Sequence, residues 1–251
     1  INSFIMTNKY MYFVANWKMY GSLSSLNSLN KVIKFSKSKD IKKGRLIYCP
    51  PFTLIDAFSK KFKNCQIGIG GQNCHEDDDY GPYTGSINSR MLKNIGAQFV
   101  IIGHSENRAE GETDKVINVK IKSALKSKLK VIFCIGETLN EKKQKKTKST
   151  LSKQIHFGLK NIKNKSNIFI AYEPIWSIGS GVIPTHKDLF ETIKFIKNKF
   201  RDKPQRVLYG GSVNPKNIIN LKKVNNLDGF LVGGASQSAK KFIDIVKKTY
   251  S

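Results

Sequence analysis

The sequence predicts a single (β/α)8 barrel, an α/β fold in which eight parallel strands close into a cylinder inside an outer ring of helices. Short runs rich in apolar, β-branched and aromatic residues alternate eight times with longer segments at helical spacing. The 251-residue length is that of one closed barrel, and no linker or low-complexity stretch divides the chain. An open doubly wound sheet would carry Gly-x-Gly-x-x-Gly after its first strand, where only Gly21 stands.

Taken in order, the first strand (residues 11–16) ends on Asn16, with Lys18 just beyond, and residues 23–38 follow at helical spacing. The second strand (45–49) is stopped by Pro50-Pro51 ahead of a helix over 53–62. The third (66–70) runs into Gln72 and Asn73. The segment from Gln72 to Gly85 is long for a loop of this fold and carries Tyr80, Pro82 and Tyr83, so it is expected to pack on something. A helix over 86–93 leads to the fourth strand (98–102), followed by His104, Ser105 and Glu106, of which the last two can open a helix. After a helix over 112–128, the fifth strand (130–134) is followed by Glu137. Residues 139–163 read as one helix with the Lys142–Lys148 run on its outer, solvated face. The sixth strand (167–172) is apolar, too short for a helix, and stops at Glu173-Pro174. A helix over 186–200 precedes the seventh strand (206–209), which meets Gly210-Gly211-Ser212, and Pro215 opens a helix over 215–222. The eighth strand (229–232) meets Gly233-Gly234 before a final helix over 239–250. Residues 1–10 read as an N-terminal extension or tail ahead of the barrel domain, 11–251.

The charge is extreme, with 44 Lys+Arg against 18 Asp+Glu, a net +26. Only five of the basic residues are Arg, and the lysines are spread along nearly every helical segment. Basic clusters with interleaved aromatics are absent, so the excess reads as solvated faces with a weak pull on anionic substrates, and no nucleic-acid partner is expected. Cys49, Cys65, Cys74 and Cys134 show no Cys-x-x-Cys spacing; neither a zinc site nor a disulfide framework is expected, and a reducing, cytoplasmic location is. No apolar run approaches the roughly 18 residues of a membrane span, and no leader with a cleavage site is seen, so no membrane partner is expected.

In a closed parallel barrel the loops leaving the C-terminal strand ends share one rim. Asn16, Lys18, His104 and Glu173 would therefore surround a single pocket, together with two glycine-rich turns. Singly, Glu173 reads as a turn or capping acid, Lys18 as one lysine among 39, and His104 as a packed histidine. Their common rim changes the reading. Glu173 becomes a candidate base, Lys18 a cation beside it, and His104 a ring at a helix N-terminus, where the dipole disfavours the imidazolium. Backbone without Cβ can aim its N–H groups closely at an anion, so Gly179, Ser212, Gly233 and Gly234 point to a phosphate monoester. The apolar segment after Pro174, closed by Gly179 and Gly181, suits a hinged lid that drives water off the carboxylate. His75, His156 and His186 are given no chemistry. The run Glu76-Asp77-Asp78-Asp79 beside His75 is not read as a metal site, because three consecutive Asp cannot all face one ion, and no metal is expected.

Asn16-Trp17-Lys18, Gly103-His104-Ser105-Glu106, Cys134-Ile135-Gly136-Glu137, the segment from Tyr172 to Gly181, Tyr209-Gly210-Gly211-Ser212-Val213 and Leu231-Val232-Gly233-Gly234-Ala235-Ser236 are similar, in order and spacing, to the motifs of the triosephosphate isomerase family. The resemblance runs from about Tyr12 to the C-terminus. It implies a TIM barrel and an aldose–ketose isomerase of glycolysis and gluconeogenesis, interconverting dihydroxyacetone phosphate and D-glyceraldehyde 3-phosphate through an enediolate. Glu173 would be the base and neutral His104 the electrophile, a pairing carried over from the family's known chemistry. Lys18 and Asn16 would steady the enediolate, while Gly179, Ser212, Gly233 and Gly234 hold the phosphate. Ser105, Glu106 and Cys134 would support them. Pro174, Ile175, Trp176, Ser177, Ile178, Gly179, Ser180 and Gly181 would form the lid, whose closure keeps the enediolate from expelling its phosphate. No metal or organic cofactor is implied.

A homodimer is also implied, with the loop from Gln72 to Gly85 inserted beside the Asn-Lys loop of a second subunit. Two positions depart from the family pattern. Ser86 replaces the Glu after Thr-Gly, and Asn107 the Arg after His-Ser-Glu. These make a cross-subunit ion pair in the family, so their joint loss strands no charge and bears on dimer tightness, not catalysis. The acidic run at 76–79 is expected to offset the lysine excess near that contact. Two alternatives are another phosphate-binding barrel enzyme acting on a larger sugar phosphate, and a basic, non-catalytic nucleic-acid binder. The first needs other residues at the fourth and sixth strand ends, and intact Lys18, His104 and Glu173 speak against the second.

Overall fold

The computed structural model describes residues 9–200 and 204–251. Its eight strands are β1 (Met11–Asn16), β2 (Gly44–Cys49), β3 (Ile67–Gly71), β4 (Phe99–Ile102), β5 (Lys130–Ile135), β6 (Ile168–Tyr172), β7 (Arg206–Tyr209) and β8 (Gly229–Val232). They pair in chain order, all parallel, and β8 returns to β1 to close the barrel. No strand lies more than one residue from its expected bounds. The reason is burial on both faces, which writes each strand as a nearly continuous apolar run bounded by polar or turn residues.

Inside the barrel Val14, Ile47, Ile101, Ile132, Ala171, Leu208 and Leu231 pack on one another with Cys49, Cys134, Phe99 and Phe169. A second, larger core fills the space between strands and helices. Tyr48, Phe58, Phe62, Trp17 and Phe242 form its aromatic centre, with Trp17 and Phe58 edge to face at 5.0 Å between centroids. The last helix, Ala239–Tyr250, shows how a helix joins it. Ser238 caps its N-terminus by accepting the Lys241 N–H, and Phe242, Ile245, Val246 and Tyr250 form its buried stripe.

One expected element is corrected. Residues 139–163 do not form a single helix but two, Leu139–Lys143 and Thr147–Gly158. Thr138 and Glu141 build a capping box at the first N-terminus. The first helix then stops in a Schellman turn, in which Lys145 N–H bonds to Lys142 O at 2.9 Å and Lys146 N–H to Glu141 O at 2.8 Å. The residue in the left-handed region is Lys145 (φ 58°), where glycine is usual, and that disguised the stop. The lysine run thus straddles a helix end, a turn and a helix start, and does not lie along one face. The helix expected over 215–222 shrinks to Ile218–Leu221, because the Asn214 side chain takes the N–H groups of Lys216 and Asn217 at 2.8 and 3.0 Å.

Of the expected N-terminal tail, residues 1–8 lie outside the described residues, as does Arg201. Lys9 bonds to Asn225 O at 2.9 Å, and the Tyr10 ring lies under the Arg45 guanidinium at 4.5 Å. Among the described residues no helix is long and apolar enough to cross a membrane.

Candidate active site

The rim at the C-terminal strand ends holds one cleft of about 650 Å³, and Asn16, Lys18, His104, Glu173, Gly179, Ser212, Gly233 and Gly234 all line it. Ser105, Glu106 and Cys134 do not line it but touch residues that do. Of the lid's apolar residues only Ile178 faces the cleft. The three glycines expected at the phosphate, Gly179, Gly233 and Gly234, all leave room for a Cβ. A Cβ on Gly179 or Gly234 would meet nothing within 4 Å, so their backbone is open to a ligand.

Lys18 is held by its backbone. Its φ of 54° is left-handed, and the turn is fixed by Asn16 Oδ1, which accepts the Lys18 N–H at 3.1 Å. From the other side Gln72 Nε2 donates to Lys18 O at 2.9 Å and to Cys49 O at 2.8 Å. The ammonium is ion-paired with Glu106 Oε1. Gln72 thus ties the root of the long third loop to the lysine.

His104 leaves β4 and caps the short helix Ser105–Ala109. Its Nδ1 accepts the Glu106 backbone N–H at 3.2 Å, so that nitrogen carries no proton. The ring is therefore the neutral tautomer with its proton on Nε2, and Nε2 stands 3.4 Å from Glu173 Oε1. Arg108 anchors the loop, donating to Gly103 O at 2.8 Å and to Cys134 O at 3.3 Å while pairing with Asp114 at 2.7 Å.

Glu173 is 2% exposed. Burial raises its pKa, opposed by the nearby His104 ring, the Cys134 thiol and Ser105 N–H that donate to it, and the Lys18 ammonium. Its Oε2 has no hydrogen-bond partner, an arrangement suited to a carboxylate that reacts. Neighbouring backbone leaves it no slack. A Cβ on Gly136 would stand 1.8 Å from Glu173 O, and one on Gly210 would stand 2.7 Å from Glu173 Cγ and 3.1 Å from Oε1. Gly210→Ala is expected to rotate the carboxylate, lowering kcat on the order of 100-fold, the penalty of an ångström-scale misplacement. Steady-state kinetics beside a melting curve check this; an unchanged kcat would show that the side chain adapts.

The segment expected to form a lid begins at Pro174 and is tied down at its near end. Glu137, fully buried, accepts from Trp176 Nε1 at 3.0 Å and Tyr172 Oη at 3.1 Å, and Lys142 Nζ lies 4.2 Å above the indole. Burial raises the Glu137 pKa. Ser177 Oγ shares a 2.8 Å bond with Tyr209 Oη and accepts Ser212 N–H at 3.3 Å, so lid and seventh loop are coupled. Gly179 and Gly181, at φ 68° and 77°, stand in the left-handed region at the far end. Among the described residues no group of three or more His, Cys, Asp or Glu could hold a metal ion.

This geometry joins a buried carboxylate, a neutral imidazole, an ammonium and open glycine turns in one cleft, and known proteins share the chain that builds it. A sequence profile of the family "Triosephosphate isomerase" matches residues 11–249. The chain belongs to the triosephosphate isomerase family. It is 40% identical over 245 residues to the triosephosphate isomerase of Thermodesulfovibrio yellowstonii, covering 94% of this chain and 98% of that one. Identity to the Bartonella henselae triosephosphate isomerase is 40% over 93% of this chain and 94% of that one. The crystal structure of triosephosphate isomerase from the same organism superposes with a TM-score of 0.85 at 37% identity, covering 94% and 97% of the two chains. Membership makes this chain an isomerase.

Several functional neighbours were not legible as such. The sequence marks Glu137 only as a polar strand-end residue, Gly210 only as part of an anion-facing glycine turn and Gln72 only as the start of the long third loop, and it gives Arg108 and Gly136 no role. Lys216 and Lys241 also line the cleft, and no sequence signal separates them from the other lysines.

Proposed function

We propose that this member of the triosephosphate isomerase family works through Glu173, His104 and Lys18. The enzyme interconverts dihydroxyacetone phosphate and D-glyceraldehyde 3-phosphate. Glu173 takes a proton from the carbon beside the carbonyl, and the electron pair of that C–H bond forms the enediolate C=C as the carbonyl oxygen becomes negative. His104 Nε2–H, Lys18 Nζ and Asn16 face that oxygen. Glu173 returns its proton to the neighbouring carbon, while the hydroxyl proton passes between the two oxygens through Nε2. Gly179, Ser212, Gly233 and Gly234 hold the phosphate, and the lid closes over it, excluding water. The observation that carries this reading is the hydrogen bond accepted by His104 Nδ1, which leaves Nε2 as the donor 3.4 Å from Glu173 Oε1 in the cleft that the glycine turns share. Isomerisation in heavy water tests it. Deuterium reaches the carbon beside the carbonyl of the product by exchange on the Glu173 carboxyl between the two transfers, so Glu173→Gln should lose incorporation and turnover together, and a Glu173→Gln protein that turns over and exchanges like the parent would overturn the reading.

Lys216 and Lys241 have no carboxylate partner among the described residues, so they add to the field that draws in a phosphate dianion. Lys216→Gln with Lys241→Gln is expected to lower kcat/KM roughly 3- to 10-fold at low salt and hardly at all near 0.5 M, with kcat unchanged. A loss that persists at high salt would mean direct contact instead.

A homodimer formed through the loop from Gln72 to Gly85 suits the exposure of Tyr80 (64%) and Tyr83 (46%). The acidic run there is already engaged within the protomer, Asp78 with Lys126 at 2.6 Å and Asp79 with Arg90 at 2.7 Å, which stiffens the loop. Because Gln72 links the loop root to Lys18, dimer loss should reach the active site. Tyr83→Asp is expected to give monomers in sedimentation and to lower kcat. Four free cysteines suit a reducing, cytoplasmic compartment.

A further inference from the structure

With five arginines against 39 lysines, an arginine in this chain marks a place where an ammonium does not serve. Arg108 fixes the catalytic loop with its planar fork, and Arg90 pairs with Asp79. Arg45 and Arg206 do neither. Both sit at the N-terminal mouth of the barrel, opposite the catalytic rim, and neither has a carboxylate within ion-pairing distance among the described residues. The strand register places Arg45 beside Tyr12 and Arg206 beside Phe169. The Arg206 guanidinium lies 5.3 Å from the Tyr12 ring and 5.2 Å from the Phe169 ring, which themselves meet edge to face at 4.9 Å. Arg45 lies 4.5 Å over Tyr10 and spends one bond on Gly44 O at 3.3 Å. Stacking dries one face of each guanidinium and fixes its plane, leaving N–H edges for an acceptor.

Tyr10, Tyr12, Arg45, Arg206 and Asp228 line a cavity of about 300 Å³ there. That is the lower end of the range for small-molecule pockets. Among the described residues Asp228 is its one carboxylate, and its charge is already answered by Lys197 at 2.7 Å and Lys9 at 3.7 Å, while its Oδ2 accepts the Val207 N–H at 2.8 Å. What remains is a concave, positively charged site with an aromatic wall. We propose that this mouth binds the phosphate group of a small phosphorylated solute through Arg45 and Arg206, separately from the substrate cleft.

Calorimetric titration of the whole protein with inorganic phosphate in 0.15 M chloride tests this, beside phosphate inhibition of turnover. Two classes of site are expected, of which only one competes with substrate. Arg206→Met, which still covers the Tyr12 and Phe169 rings, and Arg45→Gln should each weaken the non-competing class by roughly tenfold or more, the loss of a bidentate contact, with kcat, KM and the competing class unchanged. A single class in the parent, or a second class indifferent to both substitutions, overturns the proposal and leaves the arginines as a plug of the barrel. If Arg206→Met fails to fold, Arg45→Gln decides alone.

Discussion

Glu173→Gln is expected to lower kcat by about three orders of magnitude while raising the melting temperature at pH 8. The first half follows from removing the proposed base, since positioned proton transfer contributes roughly 10²- to 10⁴-fold. The second follows from burial. The Glu173 pKa is raised above 4.5 in the fold, so the native state binds this proton more tightly than the unfolded chain does. The stability that this proton contributes is complete below 4.5 and disappears as pH rises through the folded-state value. At pH 8 the parent therefore holds a buried carboxylate with an unpartnered oxygen, a cost that the neutral amide lacks. The gain in melting temperature should shrink as pH falls toward 4.5. The same raised pKa places the acid limb of kcat/KM above 4.5, because only the ionised form abstracts a proton. Equal melting temperatures at pH 8 would contradict the burial argument, whatever the kinetics.

The strands and the rim were legible because both obey simple rules. An apolar run in a parallel barrel starts and stops where burial does, and the residue after it lies on the rim, so Asn16, His104 and Glu173 could be placed by counting. What could not be read depends on contacts distant in sequence or on backbone that breaks a local rule. Trp176 Nε1 meets Glu137 across 39 positions and Gln72 meets Lys18 across 54, and neither pair shows any local pattern. The helix stop at Lys145 was missed because a lysine occupies a glycine's conformation. Gly136 belongs to a motif, yet its reason is spatial: the β5 loop passes so near Glu173 that no side chain fits. That the helix end disfavours the imidazolium of His104 was expected in general terms; the hydrogen bond that Nδ1 accepts from the Glu106 N–H could not be read from the sequence.

Lys18 breaks a local rule in the same way, and replacing it should separate its charge from its strain. A left-handed L-residue costs about 1–2 kcal/mol, which glycine escapes, while glycine loses roughly 0.4–1 kcal/mol through the freer unfolded chain. Lys18→Gly should therefore melt no lower than the parent, and Lys18→Met, which keeps the Cβ at φ 54°, should melt below Lys18→Gly. Both lose the ammonium. A unit charge about 4 Å from a developing oxyanion is worth about 4 kcal/mol at an effective dielectric of 20, roughly a thousandfold in rate. Both variants are thus expected to lose about three orders of magnitude in kcat/KM, with KM raised as well because the phosphate dianion loses the same cation. Glu106, whose side chain is 56% exposed, tolerates the loss of its partner, so the damage stays in the chemistry. A Lys18→Gly protein melting well below the parent would show that the turn is shaped by the lysine side chain, and not imposed on it by Asn16 and Gln72.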